Sequence, residues 1–210
     1  MSEPYTVLRV TKASGVPLFE GHVRRLGESS RGALRHFASE TAAGIYRVTW
    51  DGKQLTTLLR PASRLVEGMS TRFVVSPFAD QRGRFAKPSP PNLYDAVRID
   101  GVSSLLTDRA GEELYEACVA SIVAWDGKSL VLPPEEVPAV ASLAEAEVAA
   151  KLPVRRARLM IAGDWPLLLI NAVAGTCQVQ VPGRADFPRG VRGQVDAVFN
   201  RSPVDVAREP

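Results

Sequence analysis

Two hydrophobic periods alternate along the first sixty residues. The stretch TVLRVTK (6–12) alternates apolar and polar positions, which predicts a strand. In 20–40 apolar residues recur every three or four positions, which predicts one amphipathic helix. The stretch 44–61 alternates on both sides of Asp51 and Gly52, which predicts a β-hairpin with a tight turn. These elements predict a small α/β domain.

The rest of the chain begins with one more strand, TRFVVSP, and a stretch rich in Pro, Gly and Arg, SPFADQRGRFAKPSPPN, which predicts a linker. The patterns that follow predict a helix over 91–101, strands over 103–108, 113–125 and 129–134, a helix over 134–152, strands over 155–162 and 166–181, and a short final helix. Runs of strands interrupted by single helices indicate the α+β class. We expect a small domain over 1–80 and a larger one over 81–210.

Composition narrows the function classes. The chain has 210 residues, a formal net charge of +3 and a pI near 9.1, without a dense basic run interleaved with aromatics. This disfavours a nucleic-acid groove but suits anionic small substrates. No apolar run has membrane-spanning length, no secretory signal is seen at the N-terminus, and the two cysteines have no metal-site spacing. We expect a cytoplasmic protein that binds neither nucleic acid nor membrane.

Each candidate chemical residue is ordinary when taken alone. Lys87 by itself indicates a surface lysine, Arg25 a solvated helix position, Tyr94 a core aromatic and Glu116 a solvent-facing strand residue. No dinucleotide fingerprint, phosphate-binding P-loop or nucleophile elbow occurs in the sequence. The order of the segments that carry these residues is therefore more informative than any one of them.

Four segments follow one another in a recognisable order: LRVTKASGVPLFEGHVRRL, KPSPPNLYDAVR, DRAGEELYEACVASIVAWDGKSLVLPP and LLLINAVAGTCQV. In this order the chain resembles, over nearly its whole length, the class IV aminotransferases. These are pyridoxal 5'-phosphate (PLP) enzymes of fold type IV, among them branched-chain and D-amino acid aminotransferases and aminodeoxychorismate lyases. The resemblance implies a small N-terminal α/β domain, a larger C-terminal domain with a mixed, barrel-like sheet and helices, and a homodimer.

The resemblance also implies roles for individual residues. The family motif H-x-x-R-L matches 22–26 and assigns the cofactor phosphate to Arg25. The family's Schiff-base lysine, followed by an aromatic residue on the next helix, matches Lys87 and Tyr94. Glu116 matches the glutamate that binds the pyridine nitrogen. The chemistry needs these types, since a carboxylate keeps the ring nitrogen protonated and a guanidinium matches a phosphate.

Two phosphate cups complete the expected cofactor site. By resemblance, the first cup contains Val140 and Ala141, and the second contains Ala172 and Val173. Both cups lack the hydroxyl side chain that the family usually has there. Each lost charge-assisted hydrogen bond removes about 1.5–3 kcal/mol of binding free energy.

The resemblance leaves several functions open. The favoured one is a PLP-dependent enzyme, either a lyase that forms 4-aminobenzoate from an aminodeoxychorismate-like substrate or a transaminase acting on an amino acid and a 2-oxo acid. The alternative is a PLP-free homologue that serves as a binding or assembly protein, which the loss of cup hydroxyls favours. A plain α+β domain with a coincidental pattern is the third hypothesis.

Overall fold

The computed structural model describes residues 5–11, 15–60, 65, 67–85 and 92–200. Its helices are α1 (Phe19–Leu26), α2 (Arg31–Glu40), α3 (Asn92–Asp95), α4 (Leu143–Lys151) and α5 (Arg189–Asn200). The strands of the first half are β1 (Tyr5–Val10), β2 (Gly44–Trp50), β3 (Leu55–Arg60), β4 (Met69–Val75) and β5 (Val102–Thr107). Those of the second half are β6 (Glu113–Ala117), β7 (Ser121–Trp125), β8 (Leu130–Leu132), β9 (Val154–Arg156), β10 (Leu159–Met160), β11 (Leu167–Asn171) and β12 (Gly175–Gln180).

The first sheet contains β1, β2 and β3 in that order, all antiparallel. Its hairpin between β2 and β3 lies where the sequence predicts it, and Asp51 closes the turn by accepting from the backbone N–H of Lys53 and of Gln54 (2.7 and 2.8 Å). One face of this sheet buries Leu8 and Val48 against α1 and α2. The opposite face is left to line a cavity.

The single helix predicted over 20–40 is wrong in one respect, because the chain forms two helices there. Gly27 separates them with a backbone φ of 102°, a value that residues with a Cβ rarely adopt. A short 3₁₀ turn over 28–30 follows, and α2 begins at Arg31. The break lets both helices pack on the same face of the three-stranded sheet.

The second sheet has the order β10-β6-β5-β4-β12-β11-β7-β8-β9 among the described strands. Only residues 157 and 158 separate β9 from β10, although these strands lie at the two ends of the sheet. The three Cα-to-Cα steps from residue 156 to residue 159 span about 10 Å at most, so the sheet must curl until its ends meet. The mixed, barrel-like sheet and the α+β class that the sequence indicates are thereby confirmed.

Both faces of the curled sheet are buried along β11. Leu167 and Leu169 pack on one face with Ile122 and Leu159, whereas Leu168 packs on the other face against α4 and α5. This explains why the strand is apolar at consecutive positions instead of alternating.

Several predicted boundaries differ from the structure because a turn interrupts the periodic pattern. The strand predicted over 113–125 is β6, a tight turn and β7; the one over 155–162 is β9 and β10; and the one over 166–181 is the hairpin of β11 and β12. The helix predicted over 91–101 is only α3. The helix predicted over 134–152 begins only at Leu143, capped by Ser142, after a segment that contains Pro138.

The two-domain division at residue 80 stays a prediction. The change from the first sheet to the second falls earlier, because β4 pairs in parallel with β5 and β12. The described part of the predicted linker packs against the second sheet, where Phe78 and Phe85 have ring centroids 4.5 Å apart. Among the helices in the described part of the chain, none combines the length and apolar character needed to cross a bilayer.

Two leucines of the first sheet test the packing of this sheet against α1 and α2. Leu8 is fully buried, whereas Leu59 is 65% exposed. Leu8→Ala leaves a cavity between sheet and helices and should lower the free energy of unfolding by about 2–5 kcal/mol. Leu59→Ala should change it by less than about 0.5 kcal/mol. Urea unfolding measures both, and equal losses would contradict this packing.

Candidate functional site

A cavity of about 390 Å³ lies between the open face of the first sheet and the curled sheet. Its walls come from both sheets and from the ends of α1, α3 and α4. The lining residues that matter below are Tyr5, Arg25, Arg47, Arg60, Tyr94, Asp95, Arg98, Glu116, Val140, Ser142, Asn171, Ala172 and Val173. Most of them lie far apart in sequence, and the fold brings them together.

The motif over 22–26 places one side chain in the core and one at the cavity. His22 is fully buried, and its Nδ1 pairs with Oγ1 of Thr6 on β1 (2.7 Å). Burial, with a smaller effect of Arg25, lowers the pKa of His22 to about 3, so the ring is neutral. Arg25 follows one turn later and donates to the carbonyl oxygen of Ala141. The histidine therefore anchors α1, and the arginine faces the cavity.

Glu116 is the most constrained polar group of the site. It projects from β6 on the same face as its cross-strand neighbour Leu106 and is only 4% exposed. The hydroxyl of Tyr94 on α3 donates to its Oε1 (2.6 Å), and the backbone N–H of Val140 donates to its Oε2 (3.0 Å). One carboxylate thus joins β6, α3 and the segment before α4.

Burial governs the charge of this carboxylate. It raises the pKa of Glu116 to about 7, because desolvation outweighs the opposing effects of the Tyr94 and Val140 hydrogen bonds and of Arg84. Burial and the nearby Glu116 also raise the pKa of Tyr94, so the phenol stays a donor. Near neutral pH the carboxyl is therefore poised between its two protonation states, as carboxyl groups at functional sites often are.

The first predicted cup lies just before the N-terminus of α4. Val140 lines the cavity, and Ala141 supplies the carbonyl that accepts from Arg25. The backbone N–H of Val140 is used by Glu116, and that of Ala141 donates to the carbonyl of Phe85 (2.9 Å). Ser142 also lines the cavity, and its hydroxyl oxygen caps α4 by accepting from the N–H of Glu145.

The second predicted cup is the turn between β11 and β12. Ala172 and Val173 line the cavity there. Asn171 holds this turn with its side-chain oxygen, which accepts from the N–H of Val173 (2.7 Å) and of Ala174 (3.3 Å). The side-chain nitrogen of Asn171 donates to the carbonyl of Val119 in the turn between β6 and β7. The two turns therefore form one continuous wall.

The first sheet contributes a cationic wall that the sequence patterns did not predict. Arg47 on β2 and Arg60 on β3 line the cavity, and the Arg47 guanidinium lies 4.1 Å from the ring centroid of Tyr5. The signal was present in the strand alternation, because Arg47 falls between Tyr46 and Val48, which belong to the helix-covered face. Arg98 adds a further cation and is paired with Asp95.

The structure thus brings together most of the predicted site residues. Arg25, Tyr94, Glu116, Val140, Ala172 and Val173 line one cavity, and Ala141 adjoins it through Arg25. Lys87 lies outside the described residues.

Comparison with solved structures finds proteins with a similar fold. The chain is similar to a hypothetical aminotransferase from Mycobacterium tuberculosis in its PLP-bound form, with a TM-score of 0.69, 16% identity, and coverage of 97% of this chain and 89% of that one. It is similar to 4-amino-4-deoxychorismate lyase from Pseudomonas aeruginosa, with a TM-score of 0.67, 17% identity and coverage of 96% and 91%. The chain has the fold of these proteins.

A third similar structure is a putative branched-chain amino acid aminotransferase from Thermotoga maritima, with a TM-score of 0.65, 15% identity, and coverage of 95% of this chain and 85% of that one. No family model matches the sequence, and no curated protein matches it. The three similar structures confirm the predicted resemblance to the class IV aminotransferases for the fold, which is fold type IV.

The raised pKa of Glu116 predicts a distinctive pH dependence. Unfolding returns the carboxyl to an ordinary value near 4.5, so between pH 4.5 and 7 the unfolded chain binds fewer protons than the folded one. The contribution to stability is therefore complete below pH 4.5 and is lost as the pH rises through 7. It amounts to about 3 kcal/mol, at roughly 1.4 kcal/mol per pH unit.

Glu116→Gln should remove this dependence. Urea unfolding of the cofactor-free protein at pH 4.5 and pH 8 should show a smaller difference in the variant than in the wild type. Glu112→Gln, at an exposed glutamate on the loop before the same strand, is the control and should keep the wild-type difference. A Glu116→Gln curve that runs parallel to the wild type would contradict the assignment.

Proposed function

We propose that this chain is a PLP-dependent enzyme that acts on an amino acid or an aminodeoxychorismate-like substrate, by transamination or as a lyase. One observation carries the proposal. The arginine that the sequence resemblance assigns to the cofactor phosphate, Arg25, and the glutamate assigned to the ring nitrogen, Glu116, line the same cavity, although 90 positions separate them.

The environment of Glu116 suits a pyridine nitrogen. A carboxylate has about four acceptor sites, and Tyr94 and Val140 each use one of them. An acceptor site on each oxygen is therefore left for a ring N–H. A protonated ring beside Glu116 would favour the ionised carboxylate, and the carboxylate would hold the ring proton in return.

Arg25 suits a phosphate. Its guanidinium reaches the cavity beside Ser142 at the start of α4, where the helix dipole favours an anion. The backbone N–H groups of Val140, Ala141 and Val173 already have partners within the protein. Since the cup side chains also lack hydroxyls, the phosphate contact in this proposal depends mainly on Arg25. Val140, Ala141, Ala172 and Val173 are proposed as the walls around it.

We place the reactive amine at Lys87. Phe85 forms a parallel β-bridge with Val140 at the cavity wall. Lys87 follows Phe85 by two residues, which span about 7 Å at most between Cα atoms. PLP, when bound, supplies an electron sink for the bonds at the substrate's amino-bearing carbon. The role of Lys87 is to hold the cofactor and to move a proton at that carbon.

The cationic wall suits the substrate's carboxylate. Arg47 and Arg60 project from the first sheet, and Arg25 donates to the carbonyl of Ala141 just before α4. All three guanidinium groups lie near enough to Tyr5 to favour its ionised form, so they make one cationic region that can attract a substrate carboxylate as well as the cofactor phosphate. In one similar structure, the M. tuberculosis protein, α-ketoglutarate and PMP are bound (TM-score 0.66, 17% identity). That supports a 2-oxo acid as a partner substrate here.

Product analysis separates the two reactions. A lyase releases pyruvate together with 4-aminobenzoate, whereas a transaminase converts a 2-oxo acid into the matching amino acid. Chromatography of both product sets from one PLP-loaded preparation decides between them.

The homodimer and the cytoplasmic location stay predictions from the sequence resemblance and the composition. The PLP-free alternative is less favoured than the enzyme, because a homologue without cofactor has no need of Arg25, Tyr94 and Glu116 around one cavity.

Lys87 gives the direct test of the proposal. The wild-type protein incubated with PLP should become yellow, and borohydride should fix the cofactor to the peptide that contains Lys87. Lys87→Ala should lose the colour, the covalent label and the activity. If the variant keeps them, another amine is the nucleophile. A wild-type protein that takes up no PLP at millimolar concentration would favour the PLP-free alternative.

Arg25 and Arg24 form a matched pair for the phosphate contact. Arg25 reaches the cavity, whereas Arg24 is 64% exposed and pairs with Glu147. Arg25→Ala should weaken PLP affinity by at least about 1.5–3 kcal/mol, roughly ten- to hundredfold, because Arg25 contacts the first cup and the cup side chains have no hydroxyl donors. Arg24→Ala should change it less than about threefold. Fluorescence titration measures both affinities, and similar losses in the two variants would exclude a specific role for Arg25.

A further inference from the structure

We propose that Arg84 is a positioning residue, which docks the chain entering Lys87 onto the segment that forms the first cup. This inference rests on the proposed function, because the importance of Lys87 comes from it. The contacts that support it join residues 83–85 to residues 133–145, all of which the structure describes.

Backbone hydrogen bonds make the first part of this docking. The N–H of Phe85 donates to the carbonyl of Ala139 (3.0 Å), and the N–H of Ala141 donates to the carbonyl of Phe85 (2.9 Å). Two residues earlier, the N–H of Gly83 donates to the carbonyl of Glu136 (2.8 Å). Residues 83–85 thus run alongside the segment that leads into α4 and are joined to it by one parallel β-bridge, between Phe85 and Val140; they are called the added strand below.

The side chain of Arg84 makes the second part. It is 12% exposed, and its guanidinium donates to Oε1 of Glu145 in the first turn of α4 (2.8 Å). The same nitrogen lies 3.4 and 3.3 Å from the carbonyl oxygens of Pro133 and Pro134. A planar guanidinium can satisfy a carboxylate and neighbouring carbonyls together, which a lysine ammonium does less well. Arg84 therefore fixes the added strand against both ends of the cup segment.

The aromatic side chain next to Arg84 extends the docking into the site. Phe85 packs on Phe78, and Phe78 packs on Tyr94, with ring centroids 4.5 and 5.3 Å apart. Tyr94 in turn donates to Glu116. A shift of the added strand would consequently alter the start of the lysine segment relative to Glu116 and the cup.

Arg156 provides the control that separates a positioning role of Arg84 from a general effect on the stability of the protein. It lies on β9, donates to the same Oε1 of Glu145 (2.8 Å) and to the carbonyl of Pro133 (2.6 Å), and belongs to no segment that leads to Lys87. Arg84→Met and Arg156→Met each remove one cation from Glu145 and leave the other in place. They are matched in charge, and only the first releases the added strand.

Hydrogen exchange of the cofactor-free protein tests the docking itself. In Arg84→Met, amide exchange in the peptide spanning 83–87 should accelerate by about fivefold or more, because local opening becomes easier. In Arg156→Met it should change less than about twofold. Equal acceleration in both variants, or none in Arg84→Met, overturns the proposal.

Trapping of PLP tests the consequence for Lys87. Borohydride trapping at timed intervals should show covalent attachment slowed about tenfold in Arg84→Met and near the wild-type rate in Arg156→Met, since small misplacements of a reacting group are costly. Affinity for 4'-deoxypyridoxine 5'-phosphate, which has no aldehyde, should change less than about threefold in both variants, because the phosphate and ring contacts remain. Arg84→Lys should recover part of the rate.

The outcomes distinguish this inference from the proposed function. Attachment at the wild-type rate in Arg84→Met, or slowing of equal size in Arg156→Met, overturns the positioning role while the enzyme assignment stands. If the wild-type protein binds neither PLP nor the deoxy analogue, the proposed function fails, and the positioning role is overturned with it. The exchange data then still report whether Arg84 docks the strand.

Discussion

The site depends on a single buried carboxylate. Glu116 is almost completely removed from water, and an ionised group in such a place must be hydrogen-bonded or must take up a proton. Its partners come from α3 and from the segment before α4, so satisfying one charge also sets the positions of three separate parts of the chain. The hydrogen bonds limit the rise in pKa but do not cancel it, and the group is left near the middle of its titration at neutral pH.

The curled sheet supplies the frame for this arrangement. Because β9 and β10 are adjacent in sequence and lie at opposite ends of the sheet, curling is imposed by the connection between them. Strands with two buried faces, such as β11, then leave little freedom for the turns at their ends. At the end of β11, hydrogen bonds of the Asn171 side chain hold the β11–β12 turn against the β6–β7 turn. The first sheet closes the cavity from the other side and makes it cationic through Arg47 and Arg60.

If the proposed function is correct, the apolar residues in both predicted cups change how the cofactor phosphate is held. With Val140, Ala141, Ala172 and Val173 in place of hydroxyl side chains, and with several of the backbone N–H groups engaged inside the protein, the positive charge of Arg25 would carry more of that interaction. Arg25 is itself partly desolvated, and burial lowers its pKa from the ordinary value. An anion at that position would offset this cost, which gives a physical reason for keeping an arginine there.

Local periodicity was enough to find most strands, the hairpin at Asp51 and Gly52 and the α+β class, because side-chain spacing in a strand or helix depends only on neighbouring residues. The order of short motifs was enough to select Arg25, Tyr94 and Glu116 and to predict the fold. The sequence did not reveal the break at Gly27, the late start of α4, the cationic wall of Arg47 and Arg60, or the engagement of the Val140 N–H by Glu116. The break at Gly27 and the late start of α4 have local causes, a glycine with positive φ and a segment that contains Pro138, which the apolar period does not record. The cationic wall and the bond between Glu116 and the Val140 N–H arise where distant segments meet, and only the tertiary structure decides which donor reaches which acceptor across such contacts.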